Sequence, residues 1–344
     1  MTPRITRLAA AAVAVPVLAV AAATPAQAFA VPTRHGGPWF DLQRPSATAT
    51  LASDRQSTGV VLIDTEVDYG AGEAAGTGMV LSSDGTVVTN HHVVEGSTQV
   101  EVTDPATDRT YLADVVGYEP ETDVAVLKLQ DAAGLATITT DTTPVREGDK
   151  VTAVGNSNGR GVLTAADGRV TDLGANITVS DDSGRPQPLT DLIEIDATVV
   201  PGDSGGALLD SDGEVIGMNV AADAAGTTGY AIPISTVLGL TDQILAGDDS
   251  GAVALGYGPA LGLQLSDRNG DLLVLGVVDG GAADQAGVTR GSIITALDGR
   301  RVTSYADLVQ RLGDHNPGDS VQLTWLDADG SHTATTTLGR APLA

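Results

Sequence analysis

From Gly59 onward the chain is written in short apolar runs separated by turn signals. The runs include Val60–Ile63, Gly78–Leu81, Val87–Val88, Val100–Val102, Val124–Leu129, Val151–Val154, Ile193–Ile195, Ala207–Leu209 and Val215–Met218. Runs this short, recurring at intervals of roughly ten to twenty residues, predict an antiparallel barrel or sandwich with almost no helix. Asp84-Gly85, Asp167-Gly168 and Asp212-Gly213 lie between such runs and read as tight turns. The first helical period spans Thr236–Leu245, with Val237, Leu240, Ile244 and Leu245 on one side. The polar stretch Gly247–Gly251 follows and sets a boundary, with a linker over 247–256. Beyond it, residues 257–341 carry a second apolar pattern: strands near 261–265, 272–278, 293–297, 321–326 and 332–338. Two helices interrupt them, a short one closed by Gly287 and one over Ser304–Leu312. Ser304 and Asp307 form a capping-box pair at the start of the latter.

Composition narrows the class. The chain has 344 residues, enough for two domains, and 42% apolar content, enough for real cores. Aromatics make up only 3%, so those cores are built from Val, Leu, Ile and Ala. Arg4 and Arg7 precede an apolar run over residues 8–23 and an Ala26-Gln27-Ala28 cleavage site, the pattern of a signal peptide over 1–28. That run is short against the roughly 20 residues a bilayer span needs, so no stable membrane span is expected after cleavage. Export to the cell envelope or the exterior follows. Residues 29–55, with Trp39-Phe40 and little period, read as an N-terminal arm or propeptide, and 56–246 as the first domain. The formal charge is −26, and removal of residues 1–28 takes Arg4 and Arg7 but no acid, leaving −28. Such a polyanion has no basic patch for displacing counterions, so nucleic acid is excluded as a partner. The absence of cysteine removes disulfides and thiolate metal sites together.

Candidate chemistry centres on Pro201-Gly202-Asp203-Ser204-Gly205-Gly206-Ala207, which places one serine among glycines. A serine hydroxyl needs a base, a group that orients the base, and donors for the resulting oxyanion. Of the five histidines, His91 and His92 stand at the end of an apolar strand, whereas His35, His315 and His332 read as solvated. Asp123 lies at the mouth of the Val124–Leu129 run, where an acid is costly without a partner. A turn carboxylate is the other reading of Asp123, and a plain glycine turn that of the serine loop. Asp210-Ser211-Asp212-Gly213 and Asp327-Ala328-Asp329-Gly330 open like calcium loops but lack the acidic twelfth ligand, so both read as hairpin turns and no metal or cofactor site is expected.

Taken together, Thr89-Asn90-His91-His92-Val93-Val94, Thr122-Asp123-Val124-Ala125-Val126-Leu127 and Gly202-Asp203-Ser204-Gly205-Gly206 resemble the three catalytic motifs of chymotrypsin-like serine proteases of the HtrA type, in the family's order. The resemblance spans roughly residues 57–340 and implies a mainly β fold, two six-stranded antiparallel barrels followed by a PDZ-like domain. It implies His92 as base, Asp123 as its orienting group, Ser204 as nucleophile, and the amides of Gly202 and Ser204 as oxyanion hole. Thr198, Val220 and Ala221, with the segment to Gly229, fall at the specificity pocket. Thr198 is no carboxylate, so small to medium apolar side chains are expected at the cleavage position rather than Lys or Arg. Ala260-Leu261-Gly262-Leu263 matches the PDZ carboxylate loop, which presents consecutive N–H groups to a peptide C-terminus. One departure stands out: HtrA-type chains usually carry Asn before the serine, where this chain has Asp203, and no Ile-Val-Gly-Gly start is present to pair with it. Relatives of this type often form trimers through their arms, and Trp39-Phe40 leaves a homo-oligomer open. The expected activity is endoproteolysis of unfolded or exposed polypeptides. A catalytically silent PDZ adaptor is the rival. A lipase or esterase fits less well, because the triad order and the lack of βαβ alternation are wrong.

Overall fold

The computed structural model describes residues 49–180, 186–222, 228–268 and 271–343. The expected signal peptide, residues 29–48 of the expected arm with Trp39-Phe40, and Asp223, Ala224 and Gly226 of the expected specificity segment lie outside them.

Two closed six-stranded antiparallel barrels form the first domain. The first is built from Val60–Val67, Gly72–Ser82, Thr86–Thr89, Ser97–Asp104, Arg109–Glu119 and Val124–Leu129, and closes where 109–119 pairs with 124–129. The second uses Lys150–Gly155, Thr164–Ser180, Pro186–Ile195, Ala207–Leu209, Val215–Ala222 and Gly229–Pro233, and closes where 150–155 pairs with 164–180.

The apolar runs fail to alternate because both faces of these strands are covered. Val61 and Ile63 join the first barrel's own cluster, while Val60 and Leu62 join the cluster shared with the second barrel. Ala125, Leu127 and Leu129 divide from Val124 and Val126 in the same way. The shared cluster also takes in helix residues, described below, so the two barrels and the helix pack as one body around it.

Four α-helices are present among the described residues: α1 (His91–Val94), α2 (Ile234–Leu245), α3 (Ala282–Ala286) and α4 (Tyr305–Leu312). α2 buries Ile234, Val237, Thr241 and Ile244, and Leu245 is 51% exposed, so the apolar face turns by one position from the expected one. Thr241 takes the buried place because its hydroxyl donates to the Val237 carbonyl at 2.7 Å within the helix. Asp167-Gly168 is not a turn but lies inside the 164–180 strand, opposite Thr152 and Val151. The glycine is there for space: a Cβ on Gly168 would come within 2.7 Å of the Ala197 nitrogen.

The second unit holds the strands Leu263–Arg268, Asp271–Val277, Ile293–Leu297, Ser320–Asp327 and Gly330–Thr337 around its own core, with α3 and α4 packed against them. Ser304 caps α4 as expected, its Oγ accepting the Asp307 N–H at 3.1 Å. The return bond goes one residue further back, from the Thr303 N–H to Asp307 Oδ2 at 2.9 Å. His315 and His332 are engaged rather than merely solvated, with Nε2 at 3.0 Å from Asp298 and 2.9 Å from Asp327 respectively.

Two short strands fall where the sequence showed an arm and a linker. Thr50–Leu51 pairs with the 164–180 strand, and Ala254–Leu255 with 109–119. Two-residue pairings are held by backbone bonds and need no side-chain period, which is why the pattern of apolar residues does not reveal them.

Candidate active site

α1 starts at the end of the Thr86–Thr89 strand and is four residues long. Too short to persist unaided, it depends on what grips its ends. The side chain of its N-cap residue, Asn90, does not cap it. Asp123 does so instead: Oδ1 accepts the His92 N–H at 2.9 Å, while Oδ2 lies 2.7 Å from His92 Nδ1. Asp123 is 2% exposed and the imidazole half-exposed, so the carboxylate sits behind the ring and the ring faces outward.

The Asp123 backbone is left-handed, φ +63°. Asn90 explains how it is held there, donating from Nδ2 to the Asp123 carbonyl at 2.9 Å. Glu119 rigidifies the approach, its carboxylate accepting the N–H groups of Glu121 and Thr122 at 3.2 and 2.6 Å. His91, the other histidine of the pair, is turned inward and stacks on Tyr118 with centroids 4.7 Å apart.

Ser204 lies in the loop between Ile195 and Ala207. Thr77, from the first barrel and fully buried, ties this loop across the barrel junction. Its N–H donates to the Ser204 carbonyl at 2.9 Å and its Oγ1 to the Gly202 carbonyl at 2.6 Å. Thr89 Oγ1 donates to the Thr77 carbonyl at 2.7 Å, so the strand leading to His92 and the loop holding Ser204 share one partner. A Cβ on Gly205 would lie 2.3 Å from Thr89 Oγ1 and 2.1 Å from the Thr77 carbonyl oxygen, and φ there is +81°. Glycine is therefore required for the two loops to meet. Gly202 is equally constrained, with φ +93° and a would-be Cβ 2.3 Å from the Asn156 carbonyl oxygen. Among the described residues, the amides of Asp203, Gly205 and Gly206 donate to carbonyls, whereas those of Gly202 and Ser204 donate to no backbone acceptor. Ser204 Oγ lies 3.4 Å from the Val220 carbonyl, which places Val220 beside it; the Val220 side chain is buried. Thr198 is half-buried on the segment leading to the serine, and Ala221 continues the strand from Val220 opposite Tyr230.

Asp203, the departure noted in the sequence, is 5% exposed and faces away from water. Its Oδ1 accepts the Ser157 hydroxyl at 2.8 Å and its Oδ2 the Val200 N–H at 2.9 Å. Burial pushes its carboxyl up to about 6, and these two hydrogen bonds pull in the opposite direction. Ser157 and Thr164 hydroxyls are themselves hydrogen-bonded. Thr77, Asn90, Glu119 and Ser157 all escaped the sequence reading. Each acts on a backbone group or on a carboxylate distant in the chain, and the one local signal is that Asn90 belongs to the Thr-Asn-x-His string.

One cavity, of about 790 Å³, is lined by Arg55, Lys150, Arg169 and Asp210 among others, and includes none of His92, Asp123 and Ser204. Asp210 serves the hairpin turn, its Oδ1 accepting the N–H groups of Asp212 and Glu214.

In the second unit, Pro259–Ala260 pairs with Gly339–Arg340, Leu261 is buried in the core, and Gly262 has φ +70°. Leu261 and Gly262 accept through their carbonyls from Ala283 and Val278, and among the described residues their amides donate to no backbone acceptor. Leu263 opens an edge strand, and among the described residues no strand pairs with its outer side.

Comparison with known proteins fits this architecture. The model of the trypsin-like peptidase domain matches residues 76–218, and that of the PDZ domain residues 259–338. Serine protease PepD of Mycobacterium tuberculosis is 30% identical over 303 residues, 82% of this chain and 64% of its own length. A probable periplasmic serine endoprotease DegP-like of Rhizobium meliloti is 33% identical over 282 residues, 78% of this chain and 54% of its own. The chain thus spans between half and two thirds of these curated relatives. Among solved structures, the HtrA-type protease AlgW with tripeptide is 26% identical with a TM-score of 0.50, covering 84% of this chain and 96% of that one. The chain carries a trypsin-like peptidase domain followed by a PDZ domain, and across both it is similar to HtrA/DegP-like serine proteases.

Proposed function

We propose that this protein is an exported serine endopeptidase that hydrolyses unfolded or exposed polypeptides through a Ser204–His92–Asp123 acyl-enzyme mechanism. The observation that carries the reading is the double grip of Asp123 on His92, through its N–H and Nδ1, next to a serine loop with two unspent amides. With Nδ1–H donated to Asp123, Nε2 is the basic nitrogen and takes the Ser204 proton as Oγ attacks the peptide carbonyl. The same proton passes to the leaving amine, and water then repeats the sequence to release the acyl group. Asp123 holds the tautomer and stabilises the imidazolium. The amides of Gly202 and Ser204, which donate to no backbone acceptor among the described residues, receive the oxyanion.

Export is supported by the periplasmic naming of the DegP-like relatives, and no described helix is long and apolar enough to cross a membrane. The amides of Leu261 and Gly262 beside the edge strand support capture of a peptide C-terminus by strand addition.

A fluorophosphonate probe tests the mechanism. Covalent labelling is expected on Ser204 of the wild type and not in Ser204→Ala. An unlabelled wild type, with and without peptides bearing free C-termini, would instead favour a silent adaptor. For specificity, Thr198, Val220 and Ala221 support small to medium apolar residues at the cleavage position. A peptide library is expected to show cuts after Ala, Val or similar residues, and strict cleavage after Lys or Arg overturns the assignment.

A further inference from the structure

We infer that Leu343 is a positioning residue for His92, acting through Gly96 and Ser97, and that its segment joins the PDZ carboxylate loop to the base of the triad. The chain does not stop interacting with the protease domain at the end of the PDZ fold. Leu343 is 3% exposed and belongs to the first barrel's apolar cluster, together with Val93 and Val94 of α1. Its backbone makes a two-bond bridge: the Gly96 N–H donates to the Leu343 carbonyl at 2.8 Å, and the Leu343 N–H to the Ser97 carbonyl at 3.1 Å.

Gly96 and Ser97 are the exit from α1. Gly96 has φ +72° and a would-be Cβ 3.0 Å from Val67 Cγ1, so the chain turns there in a manner suited to glycine. One end of the helix is thus gripped by Asp123 and the other by Leu343, with the imidazole between them. Ser97 is held a second time, its buried Oγ lying 3.1 Å from the Tyr257 hydroxyl.

The same segment is fastened upstream. Tyr69 donates to the Arg340 carbonyl at 2.7 Å, Ala341 N–H to the Gly258 carbonyl at 2.8 Å, and the Arg340 guanidinium pairs with Asp114 and lies over the Tyr257 ring. Gly339–Arg340 is the strand partner of Pro259–Ala260, and Ala260 opens the carboxylate loop. A displacement of that loop therefore reaches Leu343 through its strand partner Gly339–Arg340 and the short segment that follows, and from there α1. This second half rests on the PDZ reading given above; the action of Leu343 on His92 does not.

The test uses the full chain and a fluorogenic peptide amide with alanine at the cleavage position, whose blocked C-terminus cannot engage the PDZ groove. Leu343→Ala is expected to lower kcat roughly tenfold or more, since displacing a reacting group by an ångström costs up to about 10²-fold. KM should stay within about twofold, the fluorophosphonate labelling rate should fall in parallel, and the midpoint of the pH–rate profile should move. Leu343→Met is expected to restore all three. A lowered Tm with unchanged kcat, labelling rate and pH midpoint makes Leu343 a packing residue only and overturns the inference. If Leu343→Ala does not fold, Tyr257→Phe, which removes only the hydroxyl on Ser97, is judged by the same readouts.

The coupling is read with a fluorescent heptapeptide ending in leucine with a free carboxylate, against its amide. The free acid is expected to bind, by anisotropy, and to change the labelling rate of the wild type, yet to bind Leu343→Ala without changing its rate. Binding with equal rate changes in both proteins overturns the coupling. Absence of binding to either sinks the PDZ reading and the coupling with it, while the kcat comparison still decides the role of Leu343.

Discussion

Asp123→Asn is expected to lower kcat by about four orders of magnitude while the chain stays folded, the scale of loss when an imidazole of this kind is held in the wrong tautomer. The structure dictates how the asparagine must sit. Oδ1 of Asp123 faces the His92 backbone N–H, a group that can only donate, so the amide oxygen has to remain there. The NH₂ then replaces Oδ2 and points at His92 Nδ1, 2.7 Å away. Nδ1 must now accept, the proton moves to Nε2, and the nitrogen meant to take the Ser204 proton is already protonated. The left-handed backbone at φ +63° suits asparagine, and the Asn90 bond to the residue 123 carbonyl is untouched, so the fold has no reason to fail. Steady-state kinetics with circular dichroism on the same sample checks both halves. A loss of less than about tenfold would remove Asp123 from the orienting role.

Asp203→Asn is expected to act on stability instead, and in a pH-dependent way. Burial disfavours the charge of Asp203 and pushes its folded-state carboxyl up to about 6 from the ordinary 3.8. A raised acid contributes stability that is fully present below the unfolded value and is lost as pH rises through the folded one. The wild type therefore carries, above about pH 6, a buried ionised carboxylate that costs about 3 kcal/mol relative to its protonated form. Asparagine is neutral throughout. Its oxygen keeps the Val200 N–H and its NH₂ faces Ser157, whose hydroxyl can turn to donate to Thr164. Denaturant midpoints measured from pH 4 to pH 8 should show the wild type falling relative to the variant across the window from about 4 to about 6, and parallel curves would refute the assignment. Activity should survive, since asparagine is the residue HtrA-type chains usually carry at this place.

These two residues illustrate how legible the site was. Asp123 and His92 could be paired from the sequence because each stands at the edge of an apolar strand, in motifs whose order is characteristic. Asn90 and Thr77 could not. Asn90 adjoins the histidine pair and stands at the N-cap of α1, but its amide is spent on a carbonyl thirty-three positions away. Thr77 looks like any strand residue, and only the closure of two barrels brings its N–H and hydroxyl to the serine loop. Asp167-Gly168 misled for the opposite reason: the dipeptide favours turns locally, but the strand continues because its glycine makes room for Ala197.

Local chemistry was written in the chain itself: short strands with both faces apolar, glycines where the serine loop must turn, and a second unit with its own period. Those features depend on residues within a few positions of one another, so a linear reading reaches them. Closure of the barrels, the junction at Thr77, the burial of Asp203 against Ser157, and the return of Leu343 to the exit of α1 depend on contacts between residues tens to hundreds of positions apart. Backbone donors and acceptors carry most of these contacts. Every residue has them, so the sequence does not distinguish which will meet, and the tertiary fold alone makes the choice.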